Sequence, residues 1–136
     1  MAKRTLQEQL CAGLVTLGAT PLRDRGKYRV YTSGTRRWYV GKSGALRVGD
    51  TIARSTPVAD NMRQYVLTAS TLRPIIKEIL AAMERNEGLT RTPELDLTAL
   101  TYRVLADPRL ASESPQIVRG HINSWYKAKT DDNRNN

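Results

Sequence analysis

Lys27, Arg29, Arg36, Arg37, Lys42 and Arg47 fall within residues 26–49, together with four of the eight aromatic residues and no acid. That mixture suits one kind of chemistry. Cations neutralise phosphates, while flat rings stack on bases or lie along sugars. The stretch therefore points to nucleic acid, and its bland counterpart is the solvated face of a small sheet.

The other reactive types lead nowhere comparable. Gly41-Lys42-Ser43 has the end of a phosphate-binding loop, but that motif needs a glycine five places before Gly41, where Arg36 stands. Its turn could still offer amides and Lys42 to one phosphate. His121 is the sole histidine, and no nucleophile or acid has a legible relation to it, so a partly buried or capping role is expected. Cys11 shares an apolar helix face with Leu14 and Val15 and reads as buried filler; one His and one Cys cannot close a zinc site. Glu84, Glu87, Glu94 and Asp96 read as solvated loop charge. No cofactor, no metal and no catalytic reaction is expected.

The elements that must position the basic stretch follow from periodicity. Two β-rich runs, 27–32 and 36–40, flank a three-residue connection, Ser33-Gly34-Thr35, and predict a hairpin. Alternation places Tyr28, Val30, Thr32, Trp38 and Val40 on an apolar face. The opposite face would carry Lys27, Arg29, Tyr31, Arg37 and Tyr39. Residues 45–48 give a third strand. Thr5-Leu6-Gln7-Glu8 is a capping box opening a helix over 6–17, which Gly18 stops. Thr51 to Ala59 reads as extended or looped.

Further on the pattern turns helical: a short helix from Asp60 to about Ala69, one opened by Arg73-Pro74, one by Thr92-Pro93 and one by Ser114-Pro115 ending near Ala128. Residues 97–128 also have the outline of a helix-turn-helix, with Arg119, His121, Asn123 and Lys127 on its second helix. The expected fold is α+β, a three-stranded antiparallel sheet packed on an N-terminal helix and followed by about three helices. Its parts would be a basic domain at 1–70, a helical segment at 71–129 and a polar tail at 130–136.

Charge sharpens the reading. Residues 1–54 carry eleven Lys and Arg against three acids, while residues 55–136 carry eleven against ten, so nearly all of the net +9 sits early. Such asymmetry implies an anionic partner. No apolar run approaches the length that spans a bilayer, and Gln7, Glu8 and Gln9 interrupt any signal sequence, so no membrane role is expected.

The segment Trp38-Tyr39-Val40-Gly41-Lys42-Ser43-Gly44-Ala45-Leu46-Arg47-Val48-Gly49, after the first helix and the Lys27–Thr32 strand, resembles small proteins of tailed bacteriophages over half the chain. The resemblance implies a phage or prophage origin and action in the cytoplasm of a bacterial host cell, or a place in the virion. It carries over no functional residue. The expected function is non-catalytic binding of nucleic acid, DNA ahead of RNA. Arg29, Arg37 and Lys42 would neutralise phosphates, Tyr31 and Tyr39 would stack or pack on sugars, Lys27 would belong to the same binding patch, and Arg36 and Arg47 would contribute from its outer edge. The alternative is a phage factor that binds an acidic surface of a host enzyme and inhibits it, or a minor virion component.

Overall fold

A computed structural model describes residues 4–134, with side chains for residues 4–128. The capping box forms: the Thr5 side chain accepts from the Glu8 N–H at 3.1 Å, and the Glu8 carboxylate accepts from the Thr5 N–H. Helix α1, Leu6–Thr16, then buries Leu10, Cys11, Gly13 and Leu14 on one side. Gly18, at φ +98°, turns the chain into a strand, as a helix C-terminus favours.

Five antiparallel strands follow: β1 (Thr20–Pro21), β2 (Arg29–Ser33), β3 (Arg36–Val40), β4 (Leu46–Gly49) and β5 (Thr56–Pro57), paired in chain order as a meander. The class is α+β as expected, but the sheet has five strands, not three. The two extra strands are two residues long and each ends in proline, too short for alternation to register.

The pairing also corrects the faces. Ser33 pairs with Arg36, so the hairpin connection is Gly34-Thr35, two residues long, with Gly34 at φ +62°. Counting three residues pairs Val30 with Trp38; counting two pairs Val30 with Tyr39 and Tyr31 with Trp38. One residue of register exchanges a strand's faces relative to its neighbour. Tyr31, Trp38, Val40, Leu46 and Val48 therefore share the side that packs on helices, where Tyr31, Val40 and Leu46 join Leu10, Cys11, Leu14 and Val66 in one core. Tyr28, Val30, Arg37 and Tyr39 lie on the other side.

Helix α2 runs unbroken over Asp60–Glu87, with Pro74 inside it. Two helices were expected there. The ring leaves Ser70 without its i+4 N–H donor, yet Val66, Ala69, Leu72, Ile76 and Leu80 keep a buried stripe at helical spacing on both sides of it, and burial holds the helix through the gap. The chain divides into two compact units, Met1–Ser70 and Thr71–Asn136.

In the first unit, Arg63 on α2 donates from Nε and Nη2 to the Gly44 carbonyl at 3.1 and 2.9 Å, fixing the β3–β4 turn. The second unit packs Ile76 and Leu80 of α2 against Leu100 and Val104 of α3 (Leu97–Leu105) and Val118 and Ile122 of α4 (Pro115–Arg134), with Leu110 of a single 3₁₀ turn, Pro108–Leu110, closing the core. Asp96, not Thr92, caps α3, accepting from the Thr98 and Ala99 N–H groups. Arg91 lies 4.0 Å over the Trp125 ring and pairs with Glu84; Glu87 pairs with Arg103. Three acids expected to be loop charge thus have structural partners. Helix α4 continues past Ala128 into the expected tail; Asn135 and Asn136 lie outside the described residues. Among the described residues no helix is long and apolar enough to cross a membrane.

Candidate anion-binding face of the sheet

The side of the sheet turned away from α1 is built on Val30 and Tyr39, which stand opposite one another and are buried to 4% and 2% exposure. Tyr28 meets Tyr39 edge to face, with centroids 6.4 Å apart and planes at 87°, a favourable quadrupole geometry. The Tyr39 hydroxyl donates to the Asp50 carbonyl at 3.2 Å and so draws the β4–β5 connection over this face. Arg47 completes the closure: its Nε donates to the Ser55 hydroxyl at 2.8 Å and its Nη2 to the Ser55 carbonyl at 2.7 Å. The approach is so close that a Cβ on Gly49 would stand 2.7 Å from Ser55 Cα, so only glycine fits.

A second flap comes from Arg25 to Tyr28, a tight turn closed by reciprocal backbone hydrogen bonds of 2.9 Å, with Gly26 at φ +57° at its tip. Between the flaps lies a hollow of about 160 Å³, lined by Arg25, Arg37, Tyr39, Thr51 and Ile52.

The expected patch is therefore divided. Arg37 is exposed on the outer side, and Lys27 is exposed at the tip of the Arg25–Tyr28 turn. Tyr39 is on the outer side but buried, and Arg47 is half-buried and committed to Ser55. Arg29 and Arg36 are exposed but belong to the same side of the sheet as the helix-facing Tyr31, Trp38 and Val40, and Tyr31 lies inside that core. Burial pushes the Tyr31 hydroxyl up to about 12, reinforced by its hydrogen bond with Cys11. Lys42 is exposed in the β3–β4 turn. Neither tyrosine can offer a face to a base.

Sequence reasoning missed Arg25, Thr51 and Ile52. The Arg25-Gly26-Lys27-Tyr28 turn had a glycine signal; the fold of the β4–β5 connection had none.

Electrostatics separates the two units. The first has twelve Lys and Arg against four acids, a net +8; the second has ten against nine. The four ion pairs among the described residues all belong to the second unit. No described cation of the first unit has a carboxylate partner within ion-pair distance.

Of the residues in the helix-turn-helix outline, His121 points inward while Arg119 and Lys127 are exposed. His121 is buried at 1% exposure and accepts from Arg73 Nε at 3.0 Å, while Arg119 donates to Thr98. Burial, and then the Arg73 charge, lower the His121 imidazole to about 4. Among the described residues no three His, Cys, Asp or Glu side chains converge as metal ligands would. Comparison with models of protein families, with curated proteins and with solved structures finds no match to this chain.

Proposed function

We propose that the protein binds nucleic acid through the sugar–phosphate backbone, without catalysis, using the sheet unit. One observation carries this reading: the first unit holds a net +8 with no ion pair among its described cations, whereas Arg91, Arg103 and Arg109 of the second unit pair with acids. Like charges gathered on a small surface repel one another, and a polyanion relieves that repulsion while releasing its own counterions. Lys27, Arg29, Arg36, Arg37 and Lys42 are the exposed cations on and around the hairpin, and they are the proposed phosphate contacts.

Burial of Tyr31 and Tyr39 narrows the substrate. Single strands are held by stacking bases on exposed rings, whereas Tyr31 and Tyr39 are buried and Tyr28, Trp38 and Tyr65 are half-buried. Duplex DNA, whose phosphates face outward and whose bases are enclosed, is the better fit. Specificity should be low, because phosphate contacts position a protein without reading sequence.

The test is fluorescence-anisotropy titration of labelled duplex and single-stranded DNA across salt concentrations. The expected result is duplex binding that weakens steeply with salt, with a log–log slope of about −0.9 for each phosphate neutralised. No binding at low salt, or affinity indifferent to salt, overturns the proposal; the latter would direct attention to a protein partner.

A further inference from the structure

We infer that Arg25 and Arg37 clamp one phosphate of a nucleic-acid backbone between them, seated in the hollow over Tyr39. This rests on the function proposed above and adds a site that neither residue suggests alone.

Both guanidinium stems leave from backbone that is already fixed. Arg25 belongs to the turn closed by its two hydrogen bonds with Tyr28, and Arg37 is held in β3 between Thr32 and Gly49. Two arginines on pre-positioned backbone suit a tetrahedral anion, because each planar fork presents parallel N–H groups to its oxygens. Lining by Thr51 adds a hydroxyl, and Ile52 adds an apolar wall. Tyr39 forms a floor whose own hydroxyl is engaged with Asp50.

The acids nearest in sequence, Asp24 and Asp50, make no ion pair among the described residues, and no carboxylate lines the hollow. Arg25 and Arg37 therefore border one space that no carboxylate lines.

Size sets the ligand class. At about 160 Å³ the hollow is well below the roughly 300 Å³ at which pockets begin to enclose drug-sized ligands. It suits a phosphate and the sugar carbons attached to it, with the carbons against Ile52, and leaves the base outside. A phosphodiester of a polymer fits this description, and free phosphate shares only its anionic part.

A double-mutant cycle on duplex DNA tests the clamp, using Arg25→Ala, Arg37→Ala and the double variant, each checked by circular dichroism. Both side chains are exposed, so folding should survive. Each single change should weaken binding about tenfold, as loss of one charged contact does. The double change should weaken it little further, because either arginine alone holds the phosphate poorly. Strictly additive losses, or none, overturn the clamp while leaving backbone binding through other cations intact.

Should the wild type fail to bind DNA, the function proposed above falls separately, and amide NMR with inorganic phosphate decides the clamp. Saturable shifts at Thr51 and Ile52, absent from the double variant, would retain it as a free-phosphate site. No shifts would overturn it.

Discussion

Gly13 on α1 lies so close beneath Val66 on α2 that a Cβ placed on it would stand 1.8 Å from the Val66 carbonyl oxygen. The two helices touch through backbone there, and the contact bears on a carbonyl that cannot swing aside. Gly13→Ala gains up to about 1 kcal/mol of helix propensity. It must also separate the helices, and overpacking of this kind costs about 1–3 kcal/mol or more. The expected net result is a lower urea midpoint at unchanged m-value. A stabilised variant would contradict the crossing.

Tyr31 ties alkaline stability to the sheet's inner side. Its hydroxyl ionises near 10 when the chain is unfolded and near 12 when folded, chiefly because burial disfavours the phenolate. Between those values the folded state holds a proton that the unfolded state has released, so stability falls as pH rises from 10 to 12. Urea unfolding at stepped alkaline pH should show this slope, reduced in Tyr31→Phe.

The sign reverses at His121. Its pKa is lowered from 6.5 to about 4, first by burial and then by Arg73. The unfolded chain therefore takes up the proton first on acidification, and stability is lost as pH falls from 6.5 toward 4. Imidazole NMR should show a neutral ring at pH 5.5 in the folded protein. A ring that titrates near 6.5 would remove the buried Arg73–His121 contact from the account.

Pro74 leaves the Ser70 carbonyl without the N–H donor that every other interior turn of α2 supplies. The side chain is exposed, so replacement disturbs no core. Pro74→Ala should restore the hydrogen bond and remove a helix penalty of up to about 3 kcal/mol. A rise in melting temperature is the expected outcome, measured by circular dichroism at 222 nm.

Local chemistry made much of this fold legible. The Thr5–Glu8 box, the hairpin strands and the apolar stripes of the later helices each depend on neighbours a few residues away, and each is found. The errors have two causes. Alternation fixes which residues of one strand share a face, but relating two strands needs the turn length, and Ser33 belongs to a strand rather than to the turn. That single residue converted an apparent basic and aromatic face into two faces, with Tyr31 and Tyr39 buried on opposite sides. Pro74 was read as a helix start because local sequence carries no account of the buried stripe that continues past it. Arg25 became a candidate only when the turn from Arg25 to Tyr28 and the β4–β5 connection were seen to border one hollow.

The meander ends on both sides in a strand of two residues whose last member is proline, Pro21 on β1 and Pro57 on β5. A sheet border with free N–H and C=O groups is a template on which another chain can add, and brevity and proline both spoil it. On the proposed function, copies bound along one nucleic acid would meet at high local concentration, where open sheet borders would let neighbours join. The blunted borders at Pro21 and Pro57 would keep such neighbours separate.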